Sequence, residues 1–149
     1  MEVVNIDRIQ DEIISEFAVL GDDKESAVLY IMELGKKLEP LEEKYKTDNN
    51  LIKGCQSKVW LNAELQDDKL IFKADSNTEI TKGLISLLIR VLSGKMIVEI
   101  LNANLYFLEK IRIGNIIGSQ RSNGLLSMIK QIKLYALAYK TKLNGISKK

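Results

Sequence analysis

The spacing of apolar residues at the start of the chain predicts two helices. Between Ile6 and Leu38 these residues recur every three or four positions, as they do on one face of a helix. The first stripe is Ile9, Ile13, Phe17 and Leu20, and the second is Ala27, Ile31, Leu34 and Leu38. Asn5 is placed to cap the first helix, and Gly21-Asp22-Asp23 separates the two. Pro40 limits the second helix, because the residue before a proline avoids helical geometry.

After the second helix the apolar residues recur at every second position instead of every third or fourth. After a polar loop from Thr47 to Asn50, apolar and polar residues alternate from Val59 to Leu65 and from Leu70 to Ala74, on either side of Gln66-Asp67-Asp68. This alternation predicts an antiparallel hairpin. Two strands alone are marginally stable in water, so we expect the hairpin to lie against helices. Asn50 to Lys53 is a candidate for a short third strand.

The second half of the chain is predicted to be helical. Ser76-Asn77-Thr78-Glu79 has the form of a capping box, and the helix that it opens should end near Gly94. This helix is apolar around most of its circumference, so we expect it to be central and buried. Its apolar residues are Ile80, Leu84, Leu87, Leu88 and Val91.

Shorter helical pieces should follow, then a glycine-containing loop from Gly114 to Gly118 and a last helix that starts between Ser119 and Ser122. The apolar residues of this part are Ile97, Ile100, Leu101, Leu105 and Leu108, and in the last helix Leu125, Ile129 and Ile132. We expect the last helix to fray at Lys148 and Lys149. The pattern favours one α+β domain over residues 1–149, a small antiparallel sheet packed against several helices, with its core in about 5–137 and a basic tail in 140–149.

Composition narrows the class of protein. The chain has 149 residues, of which 46% are hydrophobic and 28% charged, and a net charge of +2. These values are typical of a globular domain, and so small a net charge gives no strong electrostatic attraction for nucleic acid. The first residues lack the basic start of a secretory signal, and the best apolar run, Gly83 to Leu92, is interrupted by Arg90. We therefore expect a cytoplasmic protein that binds neither nucleic acid nor membrane.

Cys55 is the one cysteine, and the chain contains no histidine. It can form no internal disulfide, and a hydrolase mechanism that pairs cysteine with histidine is excluded. We expect no metal and no cofactor. The remaining chemistry is thiol exchange, sulfenate formation, or acceptance of sulfur from another protein's persulfide. Backbone amides of the glycine-flanked turn, or Arg121, could stabilise the resulting anion.

A packing role is the alternative for Cys55, and the spacing alone favours it, because free cysteine is often buried as a small hydrophobe. Its position argues the other way. Gly54, Gln56 and Ser57 surround it at a loop-to-strand junction, and not on an apolar stripe.

Several separated motifs carry a resemblance to a known family. Gly54-Cys55-Gln56-Ser57 followed by Val59-Trp60-Leu61 resembles the cysteine motif of the SufE family, the sulfur-acceptor partners of cysteine desulfurases. Further matches come in the family's order over roughly residues 5 to 137. They are Leu34-Gly35-Lys36-Lys37-Leu38 with Pro40, Ala74-Asp75-Ser76, Lys82-Gly83-Leu84, and Arg121 followed by Asn123-Gly124-Leu125 and Met128.

The resemblance implies a function as well as a fold similar to that of IscU-type scaffolds. Cys55 would accept sulfane sulfur from a SufS-like cysteine desulfurase, stimulating that enzyme, hold it as a persulfide, and pass it to an iron–sulfur cluster scaffold. Such a chain would be a monomer or homodimer. The alternatives are a non-catalytic binding module of the same fold, in which Cys55 only packs, and a peroxide-sensing thiol, which is the weakest because no resolving cysteine is present.

The resemblance also selects residues around the thiol. Gly54, Gln56, Ser57, Asp75, Lys82 and Arg121 are the candidates for partner binding or for the environment of the cysteine. Competing explanations are a helix cap for Ser76, a surface pair of Asp75 with Lys73, and packing for Trp60. The chain departs from the family where Ile116-Ile117-Gly118-Ser119-Gln120 replaces the usual His-Leu-Ser-Pro-Ser and where Met96-Ile97 replaces Thr-Pro.

Overall fold

A computed structural model describes residues 5–147, with side chains through residue 145. The predicted fraying at Lys148 and Lys149 lies outside the described residues. Helices α1 (Ile6–Val19) and α2 (Lys24–Lys36) confirm the first two predictions. Asn5 caps α1 by accepting from the Arg8 N–H at 2.7 Å, and Asp23 caps α2 by accepting from the Glu25 N–H at 3.1 Å.

Strands β1 (Val59–Gln66) and β2 (Lys69–Ser76) form the predicted hairpin. They pair antiparallel with Val59 opposite Ser76 and Gln66 opposite Lys69, so that the turn consists of Asp67 and Asp68. The positive φ of Asp67, 58°, is typical of such two-residue turns.

The prediction of a third strand at Asn50 to Lys53 is wrong. Strand β3 is Lys95–Met96, and it pairs with β2 to give the order β1-β2-β3. Gly94, at φ 79°, turns the chain back so that its N–H donates to the Leu70 carbonyl at 2.7 Å. The segment before the cysteine makes one isolated bridge, between Leu51 and Trp60.

Helix α3 (Glu79–Leu92) is the buried helix that the sequence predicts. A Cβ on Gly83 would overlap the Ile31 carbonyl oxygen, and one on Gly35 would overlap that of Glu79. Helices α2 and α3 therefore meet backbone to backbone, and this contact fixes the start of α3. The fully or nearly fully buried residues of α3 include Leu84, Ile85, Leu87, Leu88, Val91 and Leu92.

The predicted capping box at Ser76 is wrong, because α3 begins two residues later. Thr78 is its N-cap residue. Ser76 still belongs to β2, where pairing with Val59 keeps it extended, and its hydroxyl accepts from the Thr78 N–H at 3.4 Å. Asn77 is also bonded to the start of β1, through Lys58. Strand pairing thus outweighs the local capping preference.

Three helices follow: α4 (Ile97–Asn102), α5 (Phe107–Lys110) and α6 (Ile113–Ser147). The predicted loop from Gly114 to Gly118 is helical apart from Gly118, whose φ of 84° and ψ of 173° interrupt α6. The last helix therefore restarts at Ser119, as predicted. Of its predicted core residues, Leu125 and Ile132 are buried and Ile129 is half-buried.

Helix α6 also covers the outer edge of the sheet. The Tyr135 and Tyr139 hydroxyls donate to the Leu61 and Ala63 carbonyls of β1 at 3.2 and 3.1 Å. These bonds hold α6 against the strand that follows the cysteine. None of the helices within residues 5–147 combines the length and the hydropathy that crossing a bilayer requires.

Candidate functional site

Cys55 lies in the loop that leads into β1, and two glycines fit this loop against α6. Gly54 has a φ of 95°, and a Cβ there would lie 2.5 Å from the Ser127 Oγ. Gly124 is buried, and a Cβ on it would lie 3.5 Å from the Cys55 Sγ. Upstream, the Ile52 N–H donates to the Val59 carbonyl at 2.8 Å. The loop is therefore held between the start of the sheet and the first turns of α6 after Gly118.

The Cys55 thiol is half-buried and protonated at rest. Its Sγ lies 3.5 Å from the Gly124 carbonyl oxygen, to which it donates a hydrogen bond. Burial raises the pKa of the thiol. In the resting structure the partner of the sulfur is a carbonyl oxygen, so stabilisation of a thiolate or persulfide anion by backbone amides or Arg121 stays a prediction.

A cavity of about 190 Å³ opens beside the sulfur. It is lined by Cys55, Gln56, Ser57, Thr78, Ile80, Thr81, Leu84, Gln120, Arg121, Gly124 and Met128. The cysteine loop, the start of α3 and the start of the second part of α6 therefore share one space. Among the predicted site residues, Gln56, Ser57 and Arg121 line it, whereas Gly54, Asp75 and Lys82 do not.

Hydroxyl groups form part of the cavity wall. Ser57 Oγ lies 3.1 Å from Thr78 Oγ1, which donates to Thr81 Oγ1 at 2.8 Å. Sequence reasoning missed both threonines. Their spacing of three residues places them together on the first turn of α3, but only the true helix start at Thr78 brings them to the cysteine.

Arg121 is exposed at the cavity and lies in the first turn after the Gly118 interruption. Within the described residues its side chain makes no hydrogen bond or ion pair. It also lines an adjoining shallow pocket with Gln56, Ile117 and Gln120. The guanidinium is therefore available to an incoming group at the entrance to the cysteine.

Asp75 lies at the end of β2 and organises the segment that precedes the cysteine. Its carboxylate accepts from the Ser76 N–H at 2.8 Å and the Leu41 N–H at 3.4 Å, and pairs with Lys46 at 3.3 Å and Lys82 at 3.4 Å. Burial alone would raise the pKa of this carboxyl. The hydrogen bonds from Ser76, Lys46 and Leu41, together with the Lys82 charge, outweigh that effect and lower it.

The predicted surface pair of Asp75 with Lys73 is therefore wrong. Asp75 is only 5% exposed, because the segment Leu41–Lys46 covers its side of the strand, while Lys73 stays exposed. Lys46 also lies over the half-buried Trp60 ring, 5.8 Å from its centroid. Trp60 and Asp75 are register partners, so one lysine fastens this segment to both strands.

A larger cavity, of about 320 Å³, lies between the α1–α2 turn and the chain from Lys110 to Ile116. Its lining contains neither Cys55 nor a hydroxyl side chain. Ile116, at which the sequence departs from the pattern of the family that it resembles, is buried there, 9% exposed. No cluster of three or more candidate metal ligands occurs among the described residues.

Comparison with known proteins identifies the family. Residues 11–136 match the family SufE, described as the Fe-S metabolism associated domain. A SufE-like protein of Rhizobium meliloti (strain 1021) is 38% identical over 128 residues, which cover 83% of this chain and 91% of that protein. The cysteine desulfuration protein SufE of Wigglesworthia glossinidia brevipalpis is 39% identical over 112 residues, covering 73% of this chain and 77% of that protein.

The fold has a counterpart among solved structures. The solution structure of a hypothetical protein from Thermus thermophilus superposes with a TM-score of 0.73 at 16% identity, covering 89% of this chain and 96% of that one. It supports the α+β fold alone, whereas the sequence matches support a role in iron–sulfur metabolism and sulfur transfer. The chain belongs to the SufE family.

Proposed function

We propose that this protein accepts sulfane sulfur from a cysteine desulfurase as a persulfide on Cys55 and passes it on for iron–sulfur cluster assembly. The observation that carries the proposal is the position of the Cys55 Sγ on the wall of a small cavity, bonded to nothing stronger than the Gly124 carbonyl. A cavity of about 190 Å³ has room for an added sulfur atom. A cysteine desulfurase is proposed as the sulfur donor because the chain belongs to the SufE family.

The transfer needs no histidine, because the incoming sulfur is already activated. The Cys55 thiolate attacks the terminal sulfur of the donor persulfide, a new S–S bond forms, and the donor S–S bond breaks with its electron pair on the donor thiolate. The Cys55 proton goes to the donor thiolate or to water, so there is no net oxidation. A thiolate of a cluster scaffold then removes the terminal sulfur in the same way.

The raised pKa of Cys55 defines what the partner must do. At rest only a small fraction of the thiol is ionised. Docking of a desulfurase must therefore break the bond from Sγ to the Gly124 carbonyl and bring a cation or a backbone donor to the sulfur. Arg121 lies at the cavity with its side chain free of other partners in residues 5–147. Removal of the sulfur from the desulfurase persulfide would free that enzyme for its next reaction and so stimulate its turnover.

Intact-mass measurement tests the proposal. Incubation with a cysteine desulfurase and cysteine should add about 32 Da, one sulfur atom, to the wild-type chain and nothing to Cys55→Ser. The added mass should disappear on treatment with a thiol reductant. An unmodified wild-type chain beside a desulfurase that is turning over contradicts the proposal.

The second candidate is a binding module in which Cys55 is a packing residue. The half-burial of the thiol and its contact with Gly124 favour this alternative. It predicts that Cys55→Ser stimulates a desulfurase as well as the wild-type chain does. Loss of stimulation in Cys55→Ser, with unchanged partner binding, argues for sulfur transfer.

A further inference from the structure

The hydroxyl row of Ser57, Thr78 and Thr81 extends the proposed function, on which this inference rests. All three residues line the Cys55 cavity, and Thr81 is only 6% exposed. The other inward-lying side chains, Ile80, Leu84 and Met128, are apolar or nearly so. The exposed members of the lining are Gln56, Gln120 and Arg121. The row therefore supplies the polar part of the cavity interior.

The resting thiol and its persulfide need opposite hydrogen-bond partners. The thiol carries a hydrogen and donates it to the Gly124 carbonyl. A persulfide anion has no hydrogen to donate, and the carbonyl oxygen repels it, so it requires donors. In the cavity interior these donors are hydroxyls.

The hydrogen bonds along a row of three hydroxyls can reverse their donor-to-acceptor direction while the oxygen atoms stay in place. Each hydroxyl donates one hydrogen and can accept another. In the resting direction Thr78 donates to Thr81. Rotation of the O–H bonds makes Thr81 donate to Thr78 and Thr78 donate to Ser57. The free hydrogen is then that of Ser57, two residues from the cysteine.

We propose that Ser57 donates this hydrogen bond to the terminal sulfur of the Cys55 persulfide, and that Thr78 and Thr81 are positioning residues that hold Ser57 in the donating direction. No covalent bond changes in the row, and no proton leaves it. Only the persulfide form of Cys55 needs a hydrogen-bond donor, so the row donates toward the sulfur in that form and not in the resting thiol form.

Charged groups near the site do not replace the row. Lys53 and Lys58 lie on the cysteine segment, and Glu79 and Lys82 lie on α3, but none of them lines the cavity. Arg121 on α6 is the one charged residue in the lining. A change at Thr78 leaves all of these charges in place.

Thr78→Val tests the inference, because valine keeps the shape of threonine and removes its hydroxyl. The helix start should tolerate the change, since the Thr78 side chain makes no capping bond. Thr141→Val is the matched control, because the Thr141 hydroxyl donates to Leu137 on an exposed turn of α6, outside the cavity lining. Thr81→Val is a second test variant, and Thr78→Ser restores the hydroxyl.

The measurement compares two pKa values of the same cysteine. Cys55 is loaded with an inorganic polysulfide, and the pH dependence of alkylation gives the pKa of the persulfide and, separately, of the unloaded thiol. Thr78→Val should raise the pKa of the persulfide by about one unit, a tenfold change, because a hydrogen bond to an anion is weakened. The pKa of the unloaded thiol and both values in Thr141→Val should stay at wild type, and Thr78→Ser should recover most of the shift.

Two results overturn the inference. One is a persulfide pKa in Thr78→Val and Thr81→Val equal to that of wild type. The other is an equal shift of thiol and persulfide, which indicates a general disturbance of the cavity. Because the loading is chemical, either result is independent of whether a desulfurase delivers sulfur to Cys55, so failure of the inference and failure of the proposed function are distinguishable.

Discussion

Replacement of Gly54 by alanine should release the cysteine loop from α6. Two costs combine at this position. The φ of 95° is disfavoured for any residue with a Cβ, which costs about 1–2 kcal/mol. The added Cβ would also lie 2.5 Å from the Ser127 Oγ and 3.3 Å from its Cβ. Rotation of the Ser127 hydroxyl would relieve the first contact at the cost of its bond to the Asn123 carbonyl, but the Ser127 Cβ is fixed on the helix, so we expect the loop to move.

Gly21→Ala is the matched control, because it separates the two costs. Gly21 has a φ of 68°, and a Cβ added there would have nothing within 4 Å, so this position carries the backbone cost alone. We expect Gly21→Ala to lower the free energy of unfolding by about 1 kcal/mol. Gly54→Ala should lower it by more, because the loop that moves away also loses its packing against α6.

Alkylation of Cys55 reports that movement. Burial raises the pKa of the resting thiol, so a loop that leaves α6 exposes the sulfur and lowers its pKa. Each unit of lowering increases the thiolate fraction, and hence the alkylation rate at pH 7, about tenfold. We expect faster alkylation in Gly54→Ala and wild-type rates in Gly21→Ala. Equal rates in Gly54→Ala and wild type would refute the role of the Gly54–Ser127 contact.

Two further predictions concern titration. Asp75→Asn should lower the free energy of unfolding at pH 7 by about 1–3 kcal/mol, because Lys46 and Lys82 lose their shared carboxylate; urea unfolding checks this. Because the pKa of Asp75 is lowered in the folded chain, the stability that its carboxylate contributes is present above the unfolded pKa, about 4, and is lost as the pH falls through the folded pKa. The free energies of unfolding of wild type and Asp75→Asn should therefore converge in acid. A constant difference down to pH 2 contradicts the ion pairs. In wild type the alkylation midpoint of Cys55 should lie at higher pH than in the urea-unfolded chain, and an equal or lower midpoint contradicts the burial of the thiol.

Periodicity predicted the helices and the hairpin because those elements bury one face. Ile13, Ile31, Leu61 and Leu88, which lie on the predicted stripes, are all fully buried. The third strand was missed because β3 has only two residues and depends on the turn at Gly94 and on the β2 edge. A strand so short leaves no periodic pattern.

The sequence predicted the cysteine of the candidate site but fewer of the residues that surround it. The Gly54-Cys55-Gln56-Ser57 motif selected the cysteine at the cavity and two further members of the cavity lining. Thr78 and Thr81 were missed because the capping rule placed the helix start at Ser76, whereas pairing with Val59 keeps Ser76 in the strand. The burial of Asp75 depends on a loop about thirty residues earlier in the chain, a tertiary contact that no local pattern encodes.

Transfer of labelled sulfur to one peptide tests the central claim most directly. A cysteine desulfurase is loaded with ³⁵S-cysteine, freed of excess substrate, and mixed with this chain; the products are then alkylated and digested with trypsin, which cleaves after Lys53 and Lys58. The account predicts that the label leaves the desulfurase and appears on the peptide of residues 54–58, which contains Cys55. Label that stays on the desulfurase while the two proteins are bound contradicts it.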